Sequence, residues 1–244
     1  MSYIKGQGIV LYSIDYKNID KLVTLYLFGK GKITAIAKGV NKVGSKLKNA
    51  TLSMAFGEFV LSDRNNIITS FDLIDGFFEL QGSYKKFLAK TVLIDFLNRF
   101  TKDNMPDDKL AVEILKGIKN ITYSDDTEEK FLVYTLLKSL SIVGYNFDFT
   151  KSSVTNNELI SGAKFYPAPG GLIESNESDD NNVLSQRALK QMNYILKMKG
   201  EEKLDEIQSE KVESVRILSW LSKYISFELE TKFNTLLIYL ENYK

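Results

Sequence analysis

The chain has 244 residues, 44% apolar and 26% charged, with a formal net charge of +1, a profile that fits a globular protein of one large domain or two modest ones. It contains neither cysteine nor histidine, which excludes disulfides, thiolate nucleophiles, thiolate zinc sites and the commonest general base near neutral pH. Apolar runs reach only about seven residues where a membrane helix needs roughly twenty. The start, Met1-Ser2-Tyr3-Ile4-Lys5, enters a strand pattern directly instead of a secretory leader, so a cytoplasmic protein that is not an enzyme is expected.

Gly6 to Tyr16 is rich in β-branched and aromatic residues and predicts a first strand. Leu22 to Phe28 and Lys32 to Lys38 predict a hairpin across Gly29-Lys30-Gly31, because glycine supplies the positive φ of a tight loop. Placing Phe28 opposite Lys32 puts Val23, Leu25, Leu27, Ile33, Ala35 and Ala37 on one wholly apolar face. The other face then shows lysines beside Tyr26 and Phe28. Those two aromatics are either covered by a second layer or free to stack. Val40 to Asn49 reads as an exposed lysine-studded connector, and Phe56 to Ser62 with Ile67 to Phe77 forms another hairpin around residues 63–66. Five strand segments in hairpins predict a small antiparallel OB-type barrel over residues 1–80.

Residues 81–244 read as an α-helical bundle. Tyr84 to Phe100 carries apolar residues at intervals of three and four, Asp107 caps a helix reaching about Lys119, and Thr127-Glu128-Glu129 opens a third that ends near Gly144. Periodicity is lost between about 146 and 182, which marks an irregular insert. Ser185 caps a helix through about Met198, and the longest helical pattern starts at Ser209, with Phe233 to Tyr239 as an apolar end piece. The fold class is therefore α+β.

Charge is unevenly placed along this frame. From Lys21 to Gly57 there are seven lysines (21, 30, 32, 38, 42, 46 and 48) and no aspartate or glutamate; with +1 overall, the remainder carries −6. Such a window either attracts a polyanion or is a solvated lysine face. Gly39 to Lys46 mimics a phosphate-binding loop, but the lysine follows the hydroxyl residue instead of preceding it, so the loop chemistry fails. Asp107, Asp108 and Glu113 with Lys116 suit helix capping and a solvated face better than a nuclease centre. Lys190, Lys197 and Lys199 form a weaker positive group near Glu201 and Glu202.

Several strings together resemble one family. Gly8-Ile-Val-Leu11, Asp20-Lys-Leu-Val-Thr-Leu-Tyr26, Gly31-Lys-Ile-Thr-Ala-Ile-Ala-Lys-Gly39, Lys46-Leu47 and Phe56-Gly-Glu-Phe59 are similar to the N-terminal domain of the bacterial RecO proteins, and the order of elements agrees over essentially the full length. The family's insert often carries a zinc module with two C-x-x-C pairs around Phe-x-Pro-x-x-Gly-Gly-Leu. Here Phe165-Tyr-Pro-Ala-Pro-Gly-Gly-Leu172 is kept, while Ser152 and Thr155 fall at the first cysteine pair and Glu174 and Glu177 at the second. Two hydroxyls and two carboxylates are poor substitutes for thiolates, so no zinc and no other cofactor is expected.

The resemblance implies a nucleoid-associated recombination mediator. Such a protein binds single- and double-stranded DNA, anneals complementary strands, and helps load RecA together with RecR and single-stranded-DNA-binding protein. Lys30, Lys32, Lys38, Lys42, Lys46 and Lys48 would meet phosphates, with Tyr26 and Phe28 stacking on bases. The alternative is an adaptor whose basic face docks an acidic partner, such as the tail of single-stranded-DNA-binding protein. No catalytic residues are assigned.

Overall fold

The computed structural model describes residues 2–78, 83–175, 183–199 and 210–242. Alternating side chains of β-branched and aromatic type build five strands: β1 (Tyr3–Tyr16), β2 (Asp20–Leu27), β3 (Gly31–Ala37), β4 (Phe56–Ser62) and β5 (Ile67–Asp75). They pair in the circular order β1-β2-β3-β5-β4-β1. The β3–β5 seam is a single parallel pair, Ile36 with Ile67, supported by the Ile36 amide donating to the Asn66 carbonyl at 2.8 Å. This is the expected OB-fold barrel.

One side of each strand fills the barrel. Val23, Leu25, Leu27, Ile33, Ala35 and Ala37 are buried with Val10, Phe59, Leu61, Ile68 and Phe71, as the alternation predicts. Burying a ring such as that of Phe59 contributes about 2–3 kcal/mol. The hairpin register differs from the expectation by one residue on each strand: Leu27 faces Gly31 and Tyr26 faces Lys32. A shift of one on both sides keeps side-chain parity, so the two faces hold the predicted residues.

The helices are α1 (Tyr84–Phe100), α2 (Asp108–Tyr123), α3 (Glu128–Ile142), α4 (Gln186–Lys197), α5 (Lys211–Glu228) and α6 (Asn234–Glu241). Among the described residues, no helix is long and apolar enough to cross a membrane. The predicted start at Ser209 lies outside the described residues. The chain divides into two compact units, one of residues 1–82 and 94–122, the other of residues 83–93 and 123–244.

In the second unit α3 is buried on nearly every side, from Glu129 to Leu137 and again at Ser139 and Leu140, instead of along one stripe. The insert, expected to be irregular, holds two short strands, β6 (Gly162–Phe165) and β7 (Leu172–Glu174), and a third, β8 (Val183–Ser185), follows it directly; they pair in the order β7-β6-β8. Strands of three or four residues are too short for alternation to register in a sequence. The Phe165–Leu172 string is the turn between β6 and β7. Its Gly171 carbonyl accepts from Trp220 Nε1 at 3.0 Å, and a Cβ on Gly171 would lie 2.6 Å from the Tyr224 ring. Phe147, Phe149, Trp220 and Tyr224 stack and cross edge-on around it, with centroids 5.1–5.7 Å apart. The two glycines of this string thus serve packing.

Candidate nucleic-acid interface

The lysine-rich connector leaves β3 in two tight turns. The Gly39 amide donates to Asp20 Oδ1 at 2.7 Å and the Asn41 amide to the Ile19 carbonyl at 3.0 Å, which ties its start to the β1–β2 turn. Lys42 and Ser45 amides then bond back to Gly39 and Lys42 carbonyls. A 3₁₀ turn, Lys48–Thr51, closes the segment, and Ser13 Oγ donates to the Thr51 carbonyl at 2.8 Å. Val40 and Ala50 are buried in the barrel core and Leu47 packs against it. Residues 41–44, 46, 48 and 49 are exposed, as expected of this connector, but the segment is also pinned, because Val40, Leu47 and the following Ala50 reach the core.

Lys38, Lys42, Lys46 and Lys48 project from this segment into solvent, and among the described residues none of the four has an ion-pair partner. Lys30, also exposed, sits at the other end of β3, a strand that spans roughly 20 Å at about 3.3 Å per residue. The hairpin lysine and the loop lysines therefore do not converge.

Three expected contact residues are placed elsewhere in function. Tyr26 is fully buried, so it cannot stack on a base. Its hydroxyl donates to Asp108 Oδ1 at 2.9 Å and accepts from the Asp107 amide at 2.6 Å. Burial first, and then the Asp108 bond, push its pKa above the usual phenol range. Phe28 is half-buried and packs edge-on against Tyr26 and Phe56. Lys32 Nζ donates to the Asn98 carbonyl at 2.8 Å and lies 3.7 Å from Asp103, with its side chain only 18% exposed.

The physical reason is one covering segment. Residues 98–108 run over this end of the hairpin: the Asn104 amide donates to the Lys32 carbonyl, and the Gly29 amide reaches both Asp108 oxygens at 3.0–3.1 Å. A Cβ on Gly31 would lie 2.5 Å from the Met105 carbonyl oxygen. Asp107 and Asp108 act as capping and clasp residues, with the Leu110 amide donating to Asp107 Oδ1 at 3.2 Å, in keeping with the capping expectation. In the second unit, Lys190, Lys197 and Lys199 are exposed; Glu201 and Glu202 lie outside the described residues.

The zinc-like positions of the insert lie together. Thr155 Oγ1 donates to Glu174 Oε1, and Ser152 Oγ, nearly buried, accepts from the Thr155 amide at 3.3 Å. The Thr155 bond, with its own backbone amide and Ser152 behind it, holds the Glu174 carboxyl down at about 2. Ser153 Oγ accepts from the Leu172 amide at 3.1 Å, while its own amide donates to the Leu172 carbonyl at 2.9 Å. Glu177 lies outside the described residues. Neutral hydroxyls already engaged in hydrogen bonds do not fit a closed zinc site, which wants thiolate or imidazole donors.

Comparison with known proteins agrees with this architecture. The sequence matches the family described as Recombination protein O N terminal over residues 1–77, and the one described as Recombination protein O C terminal over residues 81–237. A DNA repair protein RecO from Caldanaerobacter subterraneus subsp. tengcongensis is 25% identical over 245 residues, covering 96% of each chain. One from Desulforamulus reducens is 26% identical over 96% of this chain and 93% of its own, and one from Acetivibrio thermocellus is 25% identical over 82% and 81%. The chain belongs to the RecO family of DNA repair and recombination proteins.

Proposed function

We propose that this chain is a non-enzymatic recombination mediator that binds single- and double-stranded DNA, anneals complementary strands, and works with RecR and single-stranded-DNA-binding protein in RecA loading at the nucleoid. The observation that carries the DNA-binding part is the pinned connector, which presents Lys38, Lys42, Lys46 and Lys48, none of them in an ion pair among the described residues. A protein that aligns two strands needs attraction to backbone without preference for base, and counterion release from lysine contacts provides it. The family membership supports the recombination role.

The test is a salt titration of single-stranded DNA binding by the wild type and by a variant with these four lysines changed to alanine. At about 0.7 counterions per lost contact, the slope of log affinity against log salt should fall by about 3. An unchanged slope would refute the lysine interface.

We also propose that the insert is metal-free and that the Ser152–Thr155–Glu174 hydrogen bonds hold its two limbs where a metal would otherwise do so. Protein purified without chelator and assayed by elemental analysis should hold well under one zinc per chain. Stoichiometric zinc would overturn this reading.

A further inference from the structure

The outward face of β1, β2 and β3 is divided in two. At the β2–β3 turn, residues 98–108 cover Tyr26 and Lys32. At the opposite end the register assembles a grid: Tyr12 beside Thr24 and Thr34, then Ile14 beside Leu22, Ile36 and Ile67. Tyr16 continues the β1 column. Tyr12 is 45% and Ile14 53% exposed, and Leu22, Ile36, Ile67 and Tyr16 are part-exposed. At about 4.8 Å between strands, the row from Ile14 to Ile67 is an apolar strip roughly 14 Å long.

This strip is rimmed by cations. Lys17 Nζ lies 5.1 Å over the Tyr16 ring, Lys38 and Lys42 stand at the exit of β3, and Arg64 is exposed in the β4–β5 turn. Two neighbouring carboxylates are engaged: Asp20 accepts from the Gly39 amide, and Asp15 pairs with Lys21 at 3.7 Å; Asp63, beside Arg64, is exposed. An apolar strip with a cationic rim matches a chain whose repeating unit is an apolar-faced ring on an anionic backbone. A duplex hides its base faces, whereas a single strand offers them for stacking.

We propose that the Tyr12–Ile14–Tyr16 face, with Leu22 and Ile36 behind it, is the surface on which bases of single-stranded DNA rest while Lys38 and Lys42 hold the phosphates. It rests on the DNA-binding reading above and adds the base contact, with the stacking role at Tyr12 in place of the buried Tyr26.

The test uses the full chain and two fluorescent probes of equal length, oligo(dT) and an abasic phosphodiester. Wild type should prefer the base-bearing probe. A Tyr12→Ala, Ile14→Ser variant should lose about tenfold in affinity for oligo(dT), in line with stacking of about 1–3 kcal/mol per base, while its affinity for the abasic probe stays within twofold. An unchanged ratio between the two probes, or no preference in the wild type, overturns the proposal and leaves phosphate binding standing. The four-lysine variant, by contrast, should weaken both probes equally; if it weakens neither, the DNA-binding reading itself fails. Should the double variant not fold, photocrosslinking of wild type to 5-iododeoxyuridine DNA decides the matter: adducts at Tyr12 or Tyr16 support the proposal, and adducts confined to residues 83–242 overturn it.

Discussion

Tyr26→Phe separates a structural from a binding role at one atom. The ring stays, so any stacking or packing by the ring is preserved, and only the hydroxyl is lost. That hydroxyl donates to Asp108 Oδ1 at 2.9 Å and satisfies the Asp107 amide at 2.6 Å. A hydrogen bond to a carboxylate contributes about 1.5–3 kcal/mol, and leaving a buried amide without its acceptor costs about 1–3 kcal/mol. Asp108 keeps the Gly29 amide on both oxygens, so the two effects fall short of full addition, and a loss of about 2–4 kcal/mol is expected. Chemical denaturation followed by circular dichroism would read it as a lower midpoint at unchanged slope for the transition of the first unit. Affinity for single-stranded DNA, measured well below that midpoint, should stay within twofold of wild type. A variant as stable as wild type that binds DNA several-fold more weakly would refute the assignment of Tyr26 to the clasp.

Gly31→Ala should destabilise the same unit by more than about 2 kcal/mol, because φ is +86° there and the new Cβ would meet the Met105 carbonyl at 2.5 Å; Gly29→Ala, with φ +74° but open space around it, should cost less, and thermal unfolding of the pair ranks them. In the second unit Asp126 accepts from the nearly buried Lys130 at 2.5 Å. Burial pulls the Asp126 carboxyl upward, but the Lys130 bond and the Thr127 amide outweigh it and hold the carboxyl below its ordinary value of 3.8. Since the folded pKa is depressed, the pair's stabilisation is complete above the unfolded value near 3.8 and is lost as pH falls through the lower folded value. Asp126→Ala should therefore destabilise by about 2 kcal/mol at pH 7 by stranding Lys130, less than for a fully buried pair because Asp126 is 36% exposed, with a difference from wild type that shrinks as pH falls through the lowered carboxyl value. A difference that grew on acidification would contradict this pairing.

What could be read from the chain followed the range of the signal. The bounds of β4 and α1 are those predicted, Phe56–Ser62 and Tyr84–Phe100, because polar residues mark their ends: Asp63 after β4, and Ser83 before and Thr101 after α1. Both faces of the β2–β3 hairpin were legible despite the register shift, since parity survives a shift of one on each strand. The burial of Tyr26 was not legible: its cover comes from residues some eighty positions downstream, and nothing in the local alternation reports a partner at that distance. The pinning of the connector did leave a trace in Val40, Leu47 and Ala50, three apolar residues among lysines. In β1, Tyr12, Ile14 and Tyr16 alternate with Ser13 and Asp15, but the apolar run Ile9 to Leu11 before them and the register shift between Val10 and Tyr12 hide which of the two faces looks outward.

The same distance effect governs the charge. Of the seven lysines between Lys21 and Gly57, Lys21 faces Asp15 and Lys32 is held by Asn98 and Asp103. Lys30 and Lys38 flank opposite ends of β3, roughly 20 Å apart along the strand, more than two screening lengths of about 8 Å at physiological salt, so the field of Lys30 and that of the loop act on different parts of a ligand. Only Lys38, Lys42, Lys46 and Lys48 share one short, anchored segment. A charge count along a sequence therefore overstates the local field wherever a strand separates the charges, or a segment outside the window supplies their counterions. Here the effective positive group is the one whose backbone is fixed to the barrel core by Val40, Leu47 and Ala50. Fixing the backbone matters for binding, because lysines on a pre-ordered segment surrender less conformational entropy to a ligand than lysines on a free loop.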